Sequence, residues 1–507
     1  MLKKSLIGAL VIVVVSACAT TASALLFFDR TVDKFKPLQG GTGHELTPVV
    51  SGKSQTIMIA GSDRRHGDKK LGLKPRSDTI ILARIDPGKG VALMSLPRDL
   101  KVEIPGHGTD KLNVAYTLGG PKLSIKTVKQ LTGLAINHYV DVSFHGFAEG
   151  VNALGCVYVD IDRRYFNDNS GLGFGQNYAV INVKPGYQKM CGQRSLEYVR
   201  YRHTDNDIVR GARQQDFLRQ VREQVSASQL LGKTEKLIDI FADNTRSDIQ
   251  STGALRRLLR LVLGVIDKPI KQVKFHGRLG ESYVTASPAQ IKAAVRQFLY
   301  LRPAAGPLNR HRKRSKAARE NRRGAGKVPL IDVSATGKAQ ADLAKERVGF
   351  PVYYPRRLVP RSSFAEDTPR TYTIAAPNDR RYRAYKMVFF TGFIGEYYGL
   401  QGTSWKNPPI LQSPSETRRI RGREYMLFYN GDRLRVVAWR TKKGAYWISN
   451  TLLQSVSAKE MLGVARWMSR VAIGGTVSAR CRPLHATDDS AVIGVPNETG
   501  RPGVLTR

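Results

Sequence analysis

The chain has 507 residues, which is enough for two or three domains that each bury a core of their own. Lysine and arginine number 81 against 41 aspartate and glutamate, and the formal net charge of +40 favours a polyanionic partner such as nucleic acid, anionic lipid headgroups or an acidic polymer. The four cysteines form no Cys-x-x-Cys pair, which argues against a structural zinc site, and the sequence has no Gly-x-Ser-x-Gly motif to support serine hydrolysis.

The N-terminal segment predicts a transmembrane anchor. Lys3 and Lys4 precede an uncharged, mostly apolar run over 6–28, which is long enough to cross the hydrocarbon core of a bilayer. A basic head before such a run predicts that residues 1–5 stay in the cytoplasm and that the rest of the chain lies outside. The alternative is lipoprotein processing at Cys18, because the residues before it resemble a processing site. Both alternatives predict an extracytoplasmic protein held at the cell membrane.

After the anchor, composition divides the chain into two domains joined by linkers. The predicted segments are a linker over 29–53, an α/β domain over 54–301, a basic linker over 302–328, an α+β domain over 329–480 and a tail over 481–507. The basic linker is rich in arginine and lysine and has almost no large apolar residues, so we expect it to be disordered. It serves either as a solvated spacer or as an electrostatic contact with anionic headgroups or wall polymer.

Short apolar runs alternate with helix-like segments in the first domain. The predicted strands are 56–60, 79–83, 91–96, 138–142 and 157–161, and the predicted helices are 121–131 and 147–154. From Gln214 to about residue 300 the pattern is mostly helical, with one strand near Val273. This alternation predicts an α/β/α layered domain around a mixed central sheet.

The second domain has strand-like runs and one clear hairpin. The runs are 385–390, 425–429 and 434–439, and Asn430-Gly431 between the last two is a strong turn signal. Residues 458–471 have the pattern of an amphipathic helix. We predict a smaller α+β domain, to which the sequence assigns no chemistry.

The segment 195–215 has the pattern of a helix, a loop and the start of a second helix. It carries four arginines and a glutamine, namely Arg200, Arg202, Arg210, Arg213 and Gln214. Arg200 and Arg202 alternate in sequence, so an extended stretch would aim both at one target. Arg210 and Gln214 are four positions apart and share a helix face. Guanidinium groups at this density suit a ligand with several adjacent anionic oxygens, such as a pyrophosphate; the alternative is a solvated basic face.

Four more polar segments are predicted to follow strands of the same domain. They are 61–65, 76–79, 97–99 and 111–113. Loops at strand ends are the usual location of ligand sites in α/β folds. Asp63 and Asp78 would jointly hold a hard divalent cation, while Arg76 and Arg98 would neutralise the remaining phosphate charge. The adjacent pair of Arg98 and Asp99, taken alone, is more often a structural ion pair, so the joint occurrence of these segments favours a ligand site.

Other residues in the first domain have structural interpretations. Cys156 and Cys191 bracket one stretch of it and are the candidate disulfide, which an oxidising exterior permits, whereas Cys481 is left unpaired by this assignment. The glycine-rich segment 171–175 lacks the Lys-Ser/Thr ending of a phosphate loop, so we predict a flexible loop. His138 we expect to be structural.

The motifs together resemble the LytR-CpsA-Psr family. The matching segments are Gly61-Ser62-Asp63, Arg76-Ser77-Asp78-Thr79, Ser95-Leu96-Pro97-Arg98-Asp99, Lys111-Leu112-Asn113, Ala115-Tyr116, Gly119-Gly120, Tyr198-Val199-Arg200-Tyr201-Arg202-His203 and Arg210-Gly211-Ala212-Arg213-Gln214-Gln215. The resemblance implies a phosphotransferase on the outer face of the membrane, which moves a glycopolymer from a polyprenyl-pyrophosphate carrier to a peptidoglycan hydroxyl and releases polyprenyl phosphate. In this family the apolar tail occupies a hydrophobic tunnel, and magnesium sits at the pyrophosphate.

The resemblance also assigns roles by motif position. Asp63 and Asp78 would be the magnesium carboxylates, and Asp99 would orient Arg98. The residues that would bind the pyrophosphate are Arg76, Arg98, Arg200, Arg202, Arg210, Arg213 and Gln214. The base that takes the acceptor's proton stays open between Asp63, Asp99 and polarisation by the metal. A long insertion between Asp63 and Arg76 departs from the family pattern and leaves the mutual placement of the two aspartates open.

Two other functions stay open. A DNA-binding regulator is suggested only by the net charge and the basic linker. Against it, no helix-turn-helix signature is present and the anchor places the chain outside the cell. Alternatively, the protein is non-enzymatic, and its second domain is a wall-binding or polymer-binding module tethered by the basic linker. The expected partners are the lipid-linked glycopolymer, peptidoglycan and the membrane, and not nucleic acid.

Overall fold

The computed structural model describes residues 36–38, 41–62, 77–171, 179–201, 204–265, 268, 270–273, 275–300 and 329–471. The predicted anchor, the basic linker and the tail lie outside these residues, as do Cys18 and Cys481. Among the helices within these ranges, none is both long and apolar enough to cross a bilayer. The described residues of both predicted domains belong to one compact unit, which ends at Ala472.

The first domain is built from short strands and helices in alternation. Its strands are β1 (Lys36–Pro37), β2 (Gln55–Ser62), β3 (Ser77–Asp86), β4 (Gly90–Leu96), β5 (Lys101–Ile104), β6 (Gly108–Lys111), β7 (His138–Ser143), β8 (Val157–Ile161), β9 (Tyr165–Asn167), β10 (Ile181–Val183), β11 (Gly186–Met190), β12 (Thr245–Ser247), β13 (Ile270–Val273), β14 (Arg278–Leu279) and β15 (Val284–Thr285). Its helices are α1 (Val114–Thr132), α2 (Phe144–Leu154), α3 (Gly192–Arg200), α4 (Asp207–Gln224), α5 (Ala227–Gly232), α6 (Thr234–Asn244), α7 (Thr252–Leu263) and α8 (Pro288–Leu299), with a 3₁₀ turn at Gly43–Glu45.

Seven of these strands form the central sheet in the order β1-β12-β7-β2-β3-β4-β13. The pairs β1/β12, β7/β2 and β4/β13 are parallel, and the pairs β12/β7, β2/β3 and β3/β4 are antiparallel. The sheet is therefore mixed, as predicted.

The strands bury apolar side chains on both faces of the sheet, as expected for a sheet between two layers of helices. Met58, Ala60, Ile80, Leu82, Ala92 and Met94 belong to a core that also includes residues of α1 and α8. Their neighbours in the strands, such as Ile57 and Ile85, pack with Ile238 of α6 and Leu261 of α7. The predicted order of layers, α/β/α, is thus present in the described residues.

One expectation about the polar segments is wrong. The segment 76–79 was expected to follow a strand, but β3 begins at Ser77, so this segment starts a strand instead. The reason is that β2 and β3 are antiparallel neighbours. In such a pair the end of one strand lies beside the start of the next, and both places carry loop-like polar residues.

The second domain is dominated by antiparallel strands. They are β16 (Ile331–Asp332), β17 (Val352–Pro355), β18 (Arg357–Leu358), β19 (Ser363–Phe364), β20 (Arg370–Ala375), β21 (Arg381–Phe390), β22 (Tyr397–Thr403), β23 (Glu416–Ile420), β24 (Arg423–Asn430), β25 (Arg433–Thr441), β26 (Gly444–Ser449) and β27 (Met468–Val471). Two helices, α9 (Ser334–Val348) and α10 (Ala458–Arg466), and a 3₁₀ turn at Pro409–Leu411 complete it. The main sheet has the order β19-β21-β22-β26-β25-β24-β23, with β20 paired to β21.

The predicted hairpin at Asn430-Gly431 is confirmed, because β24 ends at Asn430 and its ladder continues into β25. The predicted helix over 458–471 is wrong in its second part. Helix α10 ends at Arg466, and β27 pairs antiparallel with β17, with Val352 opposite Val471. Four residues are too few for periodicity to separate a helix end from a strand, and the ladder partner lies far away in sequence.

Candidate functional site

The polar loops of the first domain meet at one edge of the central sheet. β2 ends at Ser62, which the ladders pair with Ser77 at the start of β3 and with Ser143 at the end of β7. β4 runs antiparallel to β3, so the loop after β4, which carries Arg98, reaches the same edge. Helix α3 ends at Arg200 and α4 begins at Asp207, which confirms the predicted helix, loop and helix.

Asp207 joins the arginines of two separate segments. Its Oδ1 lies 2.8 Å from Nη2 of Arg210 on the same helix and 3.8 Å from Nε of Arg98 in the loop after β4. Its Oδ2 accepts a hydrogen bond of 3.3 Å from the backbone N–H of Asp99. The side chain of Arg98 is 20% exposed and that of Arg210 is 7% exposed. One carboxylate therefore fixes both guanidinium groups, and Arg98 keeps the larger surface toward solvent.

Asp99 and Lys111 form a second ion pair beside Arg98. Nζ of Lys111 lies 3.3 Å from Oδ1 of Asp99, and Nε of Arg98 donates to Oδ2 of the same carboxylate at 3.4 Å. The backbone N–H of Asn113 donates to the carbonyl of Arg98 at 3.0 Å, which holds the two segments together. The carboxylates of Asp99 and Asp207 are thus shared among three cations, and the net positive charge suits an anionic ligand.

Helix α4 lies close against β4 because Gly211 has no side chain. A Cβ at this position would lie 2.9 Å from Cβ of Ser95, closer than carbon atoms pack. One turn after Arg210, Gln214 donates from Nε2 to Oγ1 of Thr79 on β3 at 3.0 Å. The close contact between helix and sheet therefore places Arg210 and Gln214 at the sheet edge, on one helix face as predicted.

Arg200 is the last residue of helix α3, which is joined to α4 near the contact between α4 and the central sheet. Its guanidinium lies 4.0 Å from the ring centroid of Phe144, a cation–π contact. The carbonyl of the preceding residue, Val199, accepts a hydrogen bond of 3.3 Å from Nε2 of Gln214. The end of α3 is thus joined to α4, and Arg200 belongs to the same region of the molecule as Gln214.

Arg213 belongs to a different, buried cluster. Its side chain is 0% exposed and is paired with Asp205, which is equally buried, and it also donates to the carbonyl of Tyr201. Burial lowers the pKa of Arg213, but Asp205 and neighbouring tyrosines outweigh burial and raise it. The position of the side chain does not support the prediction that Arg213 binds phosphate, because none of it is open to a ligand. Arg213 instead joins Tyr201, which follows α3, to Asp205, which precedes α4.

Asp162 lies in the same buried cluster and has a raised pKa. Its Oδ1 accepts a hydrogen bond of 2.7 Å from the hydroxyl of Tyr165, and its Oδ2 is buried with no hydrogen-bond partner in the described part of the chain. Burial raises the pKa of Asp162 to about 6, against the lowering effect of Arg163. Desolvation of the charged form is therefore the dominant effect on this group.

Several predicted site residues cannot be placed. Asp63, Arg76 and Arg202 lie outside the described residues, and of Asp78 only the backbone, in β3, is described. Within the described ranges, no group of three or more His, Cys, Asp or Glu residues is arranged to hold a metal ion. Magnesium binding by Asp63 and Asp78 stays a prediction.

The candidate disulfide and His138 were both predicted to have structural roles. Cys156 and Cys191 are joined by a disulfide, and Cys191 is also the N-cap of α3, the helix that ends at Arg200. Nδ1 of His138 lies 2.8 Å from Oδ2 of Asp248 in a mostly buried contact, in keeping with the predicted structural role of this histidine.

The sequence-based prediction did not indicate a role for Asp205, Asp207 or Arg163. Asp207 holds Arg98 and Arg210, and Asp205 holds Arg213 together with Arg163. A signal for Asp207 exists, because an acid in the first turn and three positions before an arginine is favoured by both the helix dipole and ion pairing. No local signal identifies Arg163, which meets Asp205 only through the tertiary fold.

Comparisons with known proteins show that this chain matches one protein family. The model described as the LytR_cpsA_psr family matches residues 25–297. The polyisoprenyl-teichoic acid–peptidoglycan teichoic acid transferase TagU of Oceanobacillus iheyensis is 33% identical over 202 residues, which is 38% of this chain and 58% of that protein. The probable cell wall biosynthesis protein LcpB of Corynebacterium glutamicum is 33% identical over 182 residues, 34% of this chain and 42% of that protein. The chain therefore spans about half the length of these relatives.

Solved structures are also similar to this chain. One is titled "LytR-CPS2A-psr family protein YwtF (TagT) with bound octaprenyl pyrophosphate lipid"; it is 21% identical, has a TM-score of 0.38, and the match covers 52% of this chain and 97% of that one. The crystal structure of Bacillus subtilis TagT is 22% identical with a TM-score of 0.38, over 50% of this chain and 92% of that one. The matched family region ends at residue 297, so the second domain lies beyond it.

Proposed function

Because the chain belongs to the LytR-CpsA-Psr family, we propose that it is a membrane-anchored, extracytoplasmic phosphotransferase that attaches a glycopolymer to peptidoglycan. The donor is a polyprenyl-pyrophosphate-linked glycopolymer, and the second product is polyprenyl phosphate. The names of several relatives, teichoic acid transferases acting on peptidoglycan, support this reaction class. The observation that carries the proposal is the network of Arg98, Asp207 and Arg210 at the sheet edge.

The proposed reaction breaks one bond of the pyrophosphate. The acceptor hydroxyl oxygen attacks the phosphorus that carries the glycan, the bridging oxygen leaves with polyprenyl phosphate, and the acceptor loses its proton. Negative charge builds up on the phosphate oxygens, and preorganised cations stabilise such charge more effectively than water does. Arg98 and Lys111 are partly exposed and would contact these oxygens. Arg210 is more buried and would contribute its positive charge from behind them.

Magnesium would neutralise phosphate charge when bound. The proposed ligands are Asp63 and Asp78, since carboxylates are the side chains that this ion prefers. The sheet register supports the pairing, because Ser62 and Ser77, the chain neighbours of the two aspartates, lie opposite each other. No general base is assigned among the described residues. Asp99 is held by both Arg98 and Lys111, which favours a positioning role for it over proton transfer.

A groove on the first domain offers space for part of the isoprenoid tail. It has a volume of about 390 Å³ and lies between β5, the end of α1 and helix α8. Its apolar lining includes Val102, Leu131, Ile291 and Val295. β5 follows directly after the loop that carries Arg98, so the groove and the phosphate site are connected by a short stretch of chain. We propose that the lipid tail of the donor reaches this groove.

The reaction can be tested with the full chain reconstituted in proteoliposomes. We expect it to release polyprenyl phosphate from a lipid-pyrophosphate saccharide when peptidoglycan and magnesium are present. Arg98→Ala should abolish release, whereas Arg296→Ala, which removes the same charge from an exposed position of α8, should not. Release by Arg98→Ala at the wild-type rate, or no release by the wild type under any condition, would contradict the proposal.

The regulatory alternative has a separate test. One relative, 27% identical over 270 residues, is named biofilm regulatory protein A of Streptococcus mutans. A reporter fused to the C-terminus distinguishes the alternatives, because only a cytoplasmic protein can reach DNA. We expect an extracellular signal.

A further inference from the structure

The α3–α4 loop, of which Tyr201 and residues 204–206 are described, connects the helices that carry Arg200 and Arg210. Asp205 is buried and paired with both Arg213 and Arg163, and Arg213 also binds the carbonyl of Tyr201. The loop is therefore held at both ends by two guanidinium groups. Arg200 precedes this loop and Arg210 follows it, so their separation depends on how the loop is held.

The second domain covers one side of this arrangement. The guanidinium of Arg163 lies 4.5 Å from the ring centroid of Tyr165 and 5.4 Å from that of Tyr201. A third ring, 5.2 Å away, belongs to Tyr397 at the start of β22 in the second domain. Three aromatic faces around one desolvated cation form strong cation–π contacts, and one of the three comes from the second domain.

The second domain also contacts helix α4 directly, near both ends. Gly395 has a φ of +75°, and a Cβ at this position would lie 2.8 Å from Cγ2 of Val209, the residue before Arg210. Toward the other end of the helix, Arg435 lies 3.3 Å from Oε1 of Glu223. The helix that carries Arg210 and Gln214 thus contacts the second domain near both of its ends.

A buried ion pair fixes the position of the second domain. Nζ of Lys386 lies 2.6 Å from Oδ1 of Asp160, and the two side chains are 0% and 5% exposed. The other oxygen of Asp160 accepts a hydrogen bond of 2.9 Å from Nε1 of Trp447. Separating the domains would leave these charges unpaired in an apolar surface or require their rehydration. Both are costly, so the ion pair holds the two domains together. Asp160 lies three residues before Arg163 in the chain, which links this anchor to the loop.

We propose that residues 329–471 position the arginines of the donor site, and that Tyr397 carries this effect through Arg163 and Asp205. The identity of the ligand in this inference rests on the proposed function. The contacts by which the second domain holds the α3–α4 loop do not depend on it. It differs from a wall-binding module on a flexible tether, because such a module would leave the first domain unchanged when removed. Tyr397 is a positioning residue and does not itself contact the donor.

The test compares single-residue variants of the full chain in detergent. Tyr397→Leu removes the ring from Arg163, Tyr397→Phe keeps it, and Tyr382→Leu is the matched control. The control removes a half-buried tyrosine of the same domain, whose ring stacks on Trp405 at 5.5 Å. Tyr382 lies near the start of β21, whereas Tyr397 pairs with Phe390 at the other end of that strand. Hydrogen exchange of residues 204–212 is the first measurement, because it requires no ligand. Affinity for geranylgeranyl pyrophosphate with magnesium is the second.

We expect Tyr397→Leu to accelerate exchange in residues 204–212 and to weaken binding roughly five- to thirtyfold, the range that corresponds to losing a desolvated cation–π contact. Tyr397→Phe and Tyr382→Leu should retain wild-type exchange and affinity, even if the melting temperature of the control falls. Wild-type exchange in Tyr397→Leu, or equal losses in all three variants, overturns the inference.

Two further outcomes are also decisive. If Tyr397→Leu does not melt cooperatively, Gly395→Ala replaces it, because the added methyl group would push on Val209 and should accelerate the same exchange. Unchanged exchange in Gly395→Ala would overturn the inference. If the wild type does not bind the pyrophosphate, the proposed function fails, and the exchange data still decide the positioning role.

Discussion

The carboxylate of Asp207 lies 2.8 Å from Nη2 of Arg210, one turn along the same helix. The same Oδ1 atom is 3.8 Å from Nε of Arg98, which comes from a loop more than a hundred residues earlier in the chain. The proposed phosphate site is therefore not a set of independent arginines. It is an ordered group whose geometry depends on a shared carboxylate.

Asp207→Asn should lower kcat far more than it changes the affinity for the donor. The variant keeps the shape of the side chain but loses the charge that orients Arg98 and Arg210, and misplacement of this kind costs up to about a hundredfold in rate. Donor binding should not weaken, because the site becomes more positive. Steady-state kinetics of the transfer reaction provide the measurement. Asp86→Asn is the control and should behave as wild type, because this carboxylate lies at the end of β3 far from Ser77, where it accepts a hydrogen bond of 3.0 Å from the backbone N–H of Gly88.

Gly211→Ala should destabilise the protein by about 1–3 kcal/mol, because the added methyl group would overlap Cβ of Ser95 and force α4 away from the sheet. Gly150→Ala is the matched control, since a Cβ at that helical position meets nothing within 4 Å. The control should be neutral or stabilising by up to about 1 kcal/mol. Chemical denaturation of both variants measures the difference. Equal stability of the two variants would show that the close helix–sheet contact does not constrain α4.

Asp162→Asn should change how stability depends on pH. Burial raises the pKa of Asp162 from 3.8 to about 6 in the folded protein, so the folded state binds the extra proton in this window. The contribution of Asp162 to stability is present below pH 4 and is lost as the pH rises through about 6. The full loss is on the order of 3 kcal/mol, from 1.36 kcal/mol per pKa unit.

The measurement for Asp162 is the free energy of unfolding at several pH values. The stability of Asp162→Asn relative to the wild type should rise between pH 4 and 6 and then level off. All other titrating groups are common to the two proteins, so the difference isolates this residue. A difference that does not vary with pH would mean that Asp162 stays ionised in the folded protein.

Loss of the disulfide between Cys156 and Cys191 should destabilise the protein by about 4 kcal/mol, from the chain entropy of a loop with a sequence separation of 35. The double variant with serine at both positions should show this loss in denaturation experiments. Reducing agent should lower the stability of the wild type to the same level and leave the variant unaffected. A wild type that is indifferent to reduction would contradict this prediction.

The strands of the central sheet could be predicted because their apolar runs are short and end at polar residues. The predicted run 79–83, for example, lies inside β3, but the sequence does not indicate that β3 runs antiparallel to β2. Strand direction depends on the connection between the strands and on pairing with distant partners, and neither has a local signal. The same limit explains β27, whose partner β17 is far away in sequence.

The candidate site was predictable in its residue types and less so in their roles. Arg98, Arg210 and Gln214 come from two separate segments and lie at one edge of the central sheet. Arg213 lies three positions after Arg210 in the same motif, yet its side chain is fully buried. The difference is set by Asp205 and by packing against tyrosines from β9 and α3, and such tertiary burial cannot be read from spacing.

The most direct test of the proposed reaction follows the two phosphorus atoms of the donor. A lipid-pyrophosphate saccharide labelled at the phosphorus attached to the sugar is incubated with the reconstituted full chain, peptidoglycan and magnesium. We expect the label to become covalently bound to peptidoglycan in a phosphodiester and the released polyprenyl phosphate to be unlabelled. Label that leaves with the lipid as pyrophosphate, or that appears only as free sugar phosphate, would contradict it.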